Sequence, residues 1–317
     1  SRGGYAGTAC IEDVDHAEHI LIIGSNPRVE APVFNARIRK AWAQGADIEL
    51  VGQEVDLTYE YDYLGNDRSA LKKLLKRSLN SEIKIKNSLI IVGMGALIDE
   101  DGYGVLSLIQ EISEGTDSRI LMLHTAASRV GAMDIGFSCD DNLSETVQES
   151  EVIFSLGMDE FDIDPGPFVI YQGSHGDRGA HRADIIFPSA AYTEESGLFV
   201  NMEGRAQLAQ RANFAPGEAK ENWAILRALS NELDEKLPYN SLIELRRLLF
   251  EEFPHLKDIG IVAKKELKTL EKSNLKSVKF RNIIEDFYLT NPIARSSEVM
   301  AELSSITRSK DMKVAAE

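Results

Sequence analysis

Short apolar runs recur along the chain, separated by helix-like stretches, and this alternation limits the possible folds more than any other feature. Ile20-Leu-Ile-Ile23, Ile48-Glu-Leu-Val51, Leu89-Ile-Ile-Val92 and Ile120-Leu-Met-Leu123 are each too brief for a helix. They are also too evenly apolar for strands wet on one side. Between them lie helical patterns over 31–43, with Phe34, Ile38 and Trp42 four apart, over 68–79, and over 103–112. The polar aromatic segment 56–66 reads as a loop. Further on come helices over 126–133 and 143–149 and strands over 152–156, 168–171 and 185–187, with Asp140-Asp141-Asn142 as a polar break. Strands alternating with helices predict an α/β fold of two doubly wound, mostly parallel Rossmann-like sheets, each covered on both faces. The expected division is 1–142, 143–235 and a helical C-terminal extension, 236–317.

After Ala215-Pro-Gly217 the pattern turns to helices only. Trp223, Leu226, Leu229 and Leu233 share a stripe, Ser241-Leu-Ile-Glu244 is a capping box, and a further helix is expected over 296–304. No run of 18 apolar residues exists, which argues against direct membrane insertion. Two cysteines, Cys10 and Cys139, are too few for a disulfide framework or a cluster motif. A net charge of −16 argues against nucleic acid as a partner. One segment runs the other way: 257–281 holds eight basic and three acidic residues, read as a solvated helix face or a docking patch.

The stretch 183–205 combines a turn with charged residues. Ile185-Ile-Phe187 reads as a buried strand closed by Pro188, which cannot donate to a ladder. Glu194 follows, then Gly197 and a second apolar run, Leu198-Phe-Val200, ending at Asn201-Met-Glu203-Gly204-Arg205. Gly204 is the natural place for a positive φ, and Glu203 and Arg205 are near enough to pair around it. Pro188, Glu194, Asn201, Glu203, Gly204 and Arg205 are therefore expected to be structural, with Arg205 bridging Glu203 or a carbonyl at the end of the 185–187 strand.

A second candidate is the Gly24-Ser25-Asn26-Pro27-Arg28 loop, at a strand's carboxyl end before a helix, where parallel sheets bind ligands. It is no Gly-x-Gly-x-x-Gly fingerprint, Pro27 removes an amide, and Arg28 and Glu30 could simply pair. Gly93-Met-Gly95 is a weaker version of the same signal. His175, Asp177 and His181 match no metal-ligand spacing. Ser189 and Ser196 lack a nucleophile elbow, and Asp159, Asp162 and Asp164 read as a solvated loop. No catalytic residue and no metal site is expected.

Asp184-Ile-Ile-Phe-Pro-Ser-Ala-Ala-Tyr-Thr-Glu194 and Gly197-Leu-Phe-Val-Asn-Met-Glu-Gly-Arg-Ala-Gln207 resemble a signature of the molybdopterin oxidoreductase superfamily. Ile20-Leu-Ile-Ile-Gly-Ser-Asn-Pro-Arg28 and Phe287-Tyr-Leu-Thr-Asn-Pro-Ile-Ala-Arg295 are similar to one branch of it, the large iron–sulfur subunit of respiratory complex I. The resemblance implies the family's fold, with part of the second sheet's domain lying upstream of Ser1. It also implies that iron–sulfur clusters lie in a preceding part and that this portion carries no cofactor. The opening Ser1-Arg-Gly-Gly4, without a starter Met, fits a fragment. The implied role is a non-catalytic scaffold for electron transfer from NADH to quinone, contacting other peripheral-arm subunits on the cytoplasmic or matrix face. In the family the loop 24–28 lies against the cofactor's nucleotide, so a vestigial loop of Gly24, Ser25, Asn26 and Arg28 is the low-ranked binding candidate. Two alternatives are a formate-dehydrogenase-like molybdopterin enzyme gripping its cofactor with these loops, and a free-standing nucleotide-binding protein.

Overall fold

The computed structural model describes residues 1–79, 87–138, 143–158, 162–176 and 178–314, with side chains through 308. The expected polar break at 140–142 and the border at 142 lie outside them. The chain forms two compact units: 1–134 with 200–206 and 260–285, and 135–199 with 207–259 and 286–317.

The first unit is built on a five-stranded sheet: β1 (His19–Ile23), β2 (Asp47–Val51), β3 (Asp62–Gly65), β4 (Ser88–Gly93) and β5 (Arg119–Leu123). Their order is β3-β2-β1-β4-β5, and every neighbouring pair is parallel. β1 and β4 are buried along their whole length because both faces are covered. Side chains alternate between those faces. Ile20, Ile22, Leu89, Ile91 and Leu121 pack with Phe34 and Ile38 of the helix Pro32–Ala43. Leu21, Ile23, Ile90, Val92 and Ile120 pack with Leu71 and Leu74 of the helix Arg68–Leu79 and with Val105 and Ile109 of the helix Gly102–Thr116. Each fully buried side chain of this kind stabilises the unit by about 1.5–3 kcal/mol. The edge strand β3 falls inside the segment read as a loop. It lies at the sheet's margin, and its first two residues, Asp62 and Tyr63, are exposed, so no apolar pattern marks it.

The basic segment is not a helix face. Residues 261–277 have no helix or strand, and 260–285 belong to the first unit, which they strap. Lys272 pairs with Glu111 at 2.8 Å, Arg281 with Asp99 at 3.0 Å, and Lys276 with Glu100. Three of its eight basic residues are thus paired with acids of the same chain.

The second unit contains a three-stranded parallel sheet, β6 (Val152–Leu156), β7 (Phe168–Gly173) and β8 (Ile185–Pro188), in that order. One face packs Ile153 and Val169 against Val147, Ile163 and Ala183. The register aligns Val152 with Phe168, Phe154 with Ile170, and Ile170 with Ile185 on the other face. There Val152 is 60 % exposed, Phe168 44 % and Ile185 42 %. Among the described residues of this chain, that face is only partly covered. The strand read as buried, β8, is an edge strand whose Ile185 and Ile186 face solvent. Two short strands, β9 (Gly197–Val200) and β10 (Ala206–Ala209), pair around the 201–205 turn. The helix Leu242–Glu252 opens with Ser241 Oγ accepting from the Glu244 amide at 3.2 Å, while the Glu244 carboxylate takes the Asn240 amide at 2.6 Å. Among the described residues no helix is long and apolar enough to cross a membrane.

Candidate functional site

Doubly wound sheets receive ligands at the carboxyl ends of the strands where the order reverses, here between β1 and β4. Gly24 follows β1 with φ +58°, and Gly93 ends β4. The two turns touch through their backbones: a Cβ on Gly93 would lie 2.5 Å from the Gly24 carbonyl oxygen. A Cβ on Gly24 would run into Ala96, and one on Gly95 into the Arg281 carbonyl. The glycines are needed for close contact among chain segments.

The polar groups of this loop are also engaged. The Asn26 amide donates to Glu30 at 2.7 Å and Ser25 Oγ to the same carboxylate at 3.0 Å. Burial pushes the Glu30 carboxyl up, against these two hydrogen bonds. Glu30 thus occupies two donors that a bound anion would need. Arg28 does not pair with Glu30. It pairs with Asp56 and donates to the Asp56 carbonyl at 3.1 Å, because Glu30 has turned back onto the loop.

The 201–205 turn is tied together more tightly. Gly204 has φ +78°. Asn201 Oδ1 accepts from the amides of Glu203 and Arg205 at 3.2 and 2.9 Å. Glu203 is only 2 % exposed, and its carboxylate accepts from Arg205 Nε at 2.8 Å, Asn201 Nδ2 at 3.2 Å and the Ile11 amide at 2.7 Å. Burial works to raise its pKa, but the Ile11 amide, Arg205 and Asn201 together hold it below the usual glutamate value. The carbonyl bridged by Arg205 is that of Gly260, at 2.7 Å, and not one at the end of β8.

Sequence reasoning missed the remote partners of this turn. Lys265, buried, donates to the carbonyls of Ala9 at 2.9 Å, Glu203 at 2.8 Å and Ala6 at 3.3 Å. Arg2 holds Asp134 through two hydrogen bonds of 2.9 and 2.7 Å and donates to the Gly204 carbonyl at 2.9 Å. No local motif signals these pairs.

The other candidates are scattered. Glu194 accepts the Ala191 amide at 2.9 Å, and the Pro188 carbonyl accepts the Lys220 amide at 3.2 Å. Glu195, not singled out in the sequence, accepts the Asn222 amide at 3.0 Å and its side chain at 2.7 Å. His181 is exposed and His175 half-buried. Asp177, Asp159 and Cys139 lie outside the described residues. At the amino end of the first sheet, His19 bridges Ser88 at 2.9 Å and Glu49 at 3.1 Å. The adjoining cavity, about 20 Å³, has room for little more than a water molecule.

The family model for molybdopterin oxidoreductase matches residues 1–232, and that for the C-terminal part of the NADH-ubiquinone oxidoreductase G subunit matches 257–303. The chain is 38 % identical to the mitochondrial NADH-ubiquinone oxidoreductase 78 kDa subunit of Neurospora crassa, over 98 % of this chain and 44 % of that protein. It is 37 % identical to the NADH-ubiquinone oxidoreductase 75 kDa subunit of Reclinomonas americana, over 96 % and 47 %. The NADH-quinone oxidoreductase G subunit of Rickettsia bellii matches at 37 %, over 95 % and 46 %. The chain spans about half the length of these relatives.

Proposed function

Because the chain belongs to the molybdopterin oxidoreductase family, with complex I large subunits as relatives over nearly its whole length, we propose that it is a cofactor-free scaffold in such a subunit. It supports electron transfer from NADH to quinone without taking part in it. The iron–sulfur clusters sit in the portion of the subunit that this chain does not span. It docks other peripheral-arm subunits, on the cytoplasmic or matrix side of the membrane.

The family name implies a molybdenum-bearing pterin. The loop expected to meet it does not fit one. The Asn26 amide and the Ser25 hydroxyl serve Glu30, Arg28 serves Asp56, and the space between the glycine turns is filled by backbone. The Asn26 side chain, whose buried Oδ1 has no hydrogen-bond partner, is an acceptor that a pyrophosphate oxygen would repel.

The observation that carries the scaffold role is the partly exposed apolar face of the β6–β8 sheet, with Val152, Phe168 and Ile185 open for the rest of the subunit or a neighbouring subunit to cover. Contiguous exposed apolar surface of this kind marks a binding face. The test replaces Phe168 and Val152 with Asp in the full-length subunit. Less assembled complex on a native gel, with unchanged NADH:quinone turnover per complex, is the expected result. Near-stoichiometric molybdenum or tungsten in the purified full-length subunit would overturn the cofactor-free reading and favour a molybdopterin enzyme.

A further inference from the structure

The strap reaches the ligand-binding end of the first sheet and lies along it. Lys279 bridges antiparallel to Asp67, just beyond β3, and the Phe280 amide donates to the Asn66 carbonyl at 3.1 Å. One residue further, the Arg281 carbonyl packs against Gly95, just beyond β4, so closely that no Cβ could stand there. Phe280 is 2 % exposed and packs in the same apolar cluster as Val51, Val92 and Ala96, at the carboxyl ends of β2 and β4.

One buried side chain gathers several of this stretch's contacts. Arg68, at the start of its helix, is almost wholly buried. Its guanidinium lies 4.4 Å from the centre of the Phe280 ring and donates to the Val278 carbonyl at 3.0 Å. It also takes Asp101 through two hydrogen bonds of 3.1 and 2.8 Å, and Asp99 at 2.8 Å. The Lys276 amide reaches the same Asp101 at 2.9 Å, and Arg281 the same Asp99 at 3.0 Å. One buried cation thus fastens both the backbone and the aromatic ring of the strap to the two acids beside the glycine turn.

We propose that Val278–Arg281 is a built-in plug, an intramolecular ligand holding the binding end of the first sheet shut, with Arg68 as its latch. The proposal rests on the reading that this chain carries no pterin, and gives that reading a physical means. Access to the carboxyl ends of β2 and β4, beside Val51, Val92 and Ala96, requires the strap to lift. Lifting exposes the carboxyl end of the face that carries Val92, whose remainder stays under its two helices, and leaves the face that carries Ile91 covered.

The two neighbours on β4 supply the test. Val92→Cys and Ile91→Cys are made separately in the full chain, with and without Phe280→Ala. The rate of modification by a small charged thiol reagent is read by mass spectrometry on the peptide bearing the new cysteine. With Phe280 in place both thiols react slowly. With Phe280→Ala the thiol at 92 is expected to react at least about tenfold faster while the thiol at 91 keeps its rate. Equal rates at 92 with and without Phe280, or equal acceleration at 91 and 92, would overturn the plug. Should Phe280→Ala not fold, Phe280→Leu decides by the same ratio. Molybdenum in the purified subunit would instead sink the cofactor-free reading, so the two failures are distinguishable.

Discussion

The Glu203 carboxylate accepts the backbone amide of Ile11 at 2.7 Å, so a turn late in the chain fixes the start of the first unit. Lys265 closes the same junction from the strap, through the Glu203 and Ala9 carbonyls. Three segments distant in sequence meet at one buried acid.

That acid makes stability depend on pH. The folded-state pKa of Glu203 is depressed, so its contribution is present above the unfolded value near 4.3 and is lost as pH falls through the lower folded value. Glu203→Gln is expected to lower stability by about 1–3 kcal/mol at neutral pH, with the difference from wild type shrinking below about pH 4. Urea midpoints of both proteins between pH 7 and 3 check this. A difference that grows on acidification contradicts it.

Gly204 sits at φ +78°, and a Cβ there would lie 3.2 Å from the Arg2 guanidinium. Gly204→Val is expected to cost about 1–3 kcal/mol, and Gly204→Asn less, since Asn tolerates the left-handed region. Chemical denaturation of the two variants gives the ranking.

Arg205→Ala removes the partner of Glu203 and the bond to the Gly260 carbonyl. The expected cost is about 1–3 kcal/mol. In the parent complex this should appear as less assembled material with unchanged NADH:quinone turnover per complex. A collapse of turnover at normal assembly would mean that Arg205 serves electron transfer.

Ile22 is fully buried in β1, between β2 and β4. Ile22→Asp buries an unpaired charge at a cost of several kcal/mol, and insoluble protein is the expected outcome. Expression and fractionation measure it, and a soluble variant with unchanged melting temperature would show that the strand does not organise the sheet.

The central strands are legible because burial on both faces demands continuous apolar runs, as in Ile20–Ile23 and Leu89–Val92. β3 is not, since Asp62 and Tyr63 at an exposed margin follow no such rule. The turn at Gly204 and the Glu203–Arg205 pair are local and can be read from three adjacent residues. Their ties to Ile11, Arg2, Lys265 and Gly260 depend on the path of the whole chain. The basic strap misleads for a related reason: composition reports its charge, whereas the acids that meet it, Asp99, Glu100 and Glu111, lie far upstream. Glu30 is a further case, since nothing in Ser25-Asn-Pro-Arg-Val-Glu30 says that the acid folds back onto the loop.

The strap also sets an order of events during synthesis. All five strands of the first sheet have been made once Leu123 leaves the ribosome, yet Phe280, which completes one of its two cores, comes much later. At ordinary elongation rates the interval is about 10–30 s. For that time the nascent sheet has one of its two cores short of an aromatic ring. Closure arrives only when Val278–Arg281 emerge, so a ribosome stalled before Val278 releases a first unit that has its strands but lacks its seal.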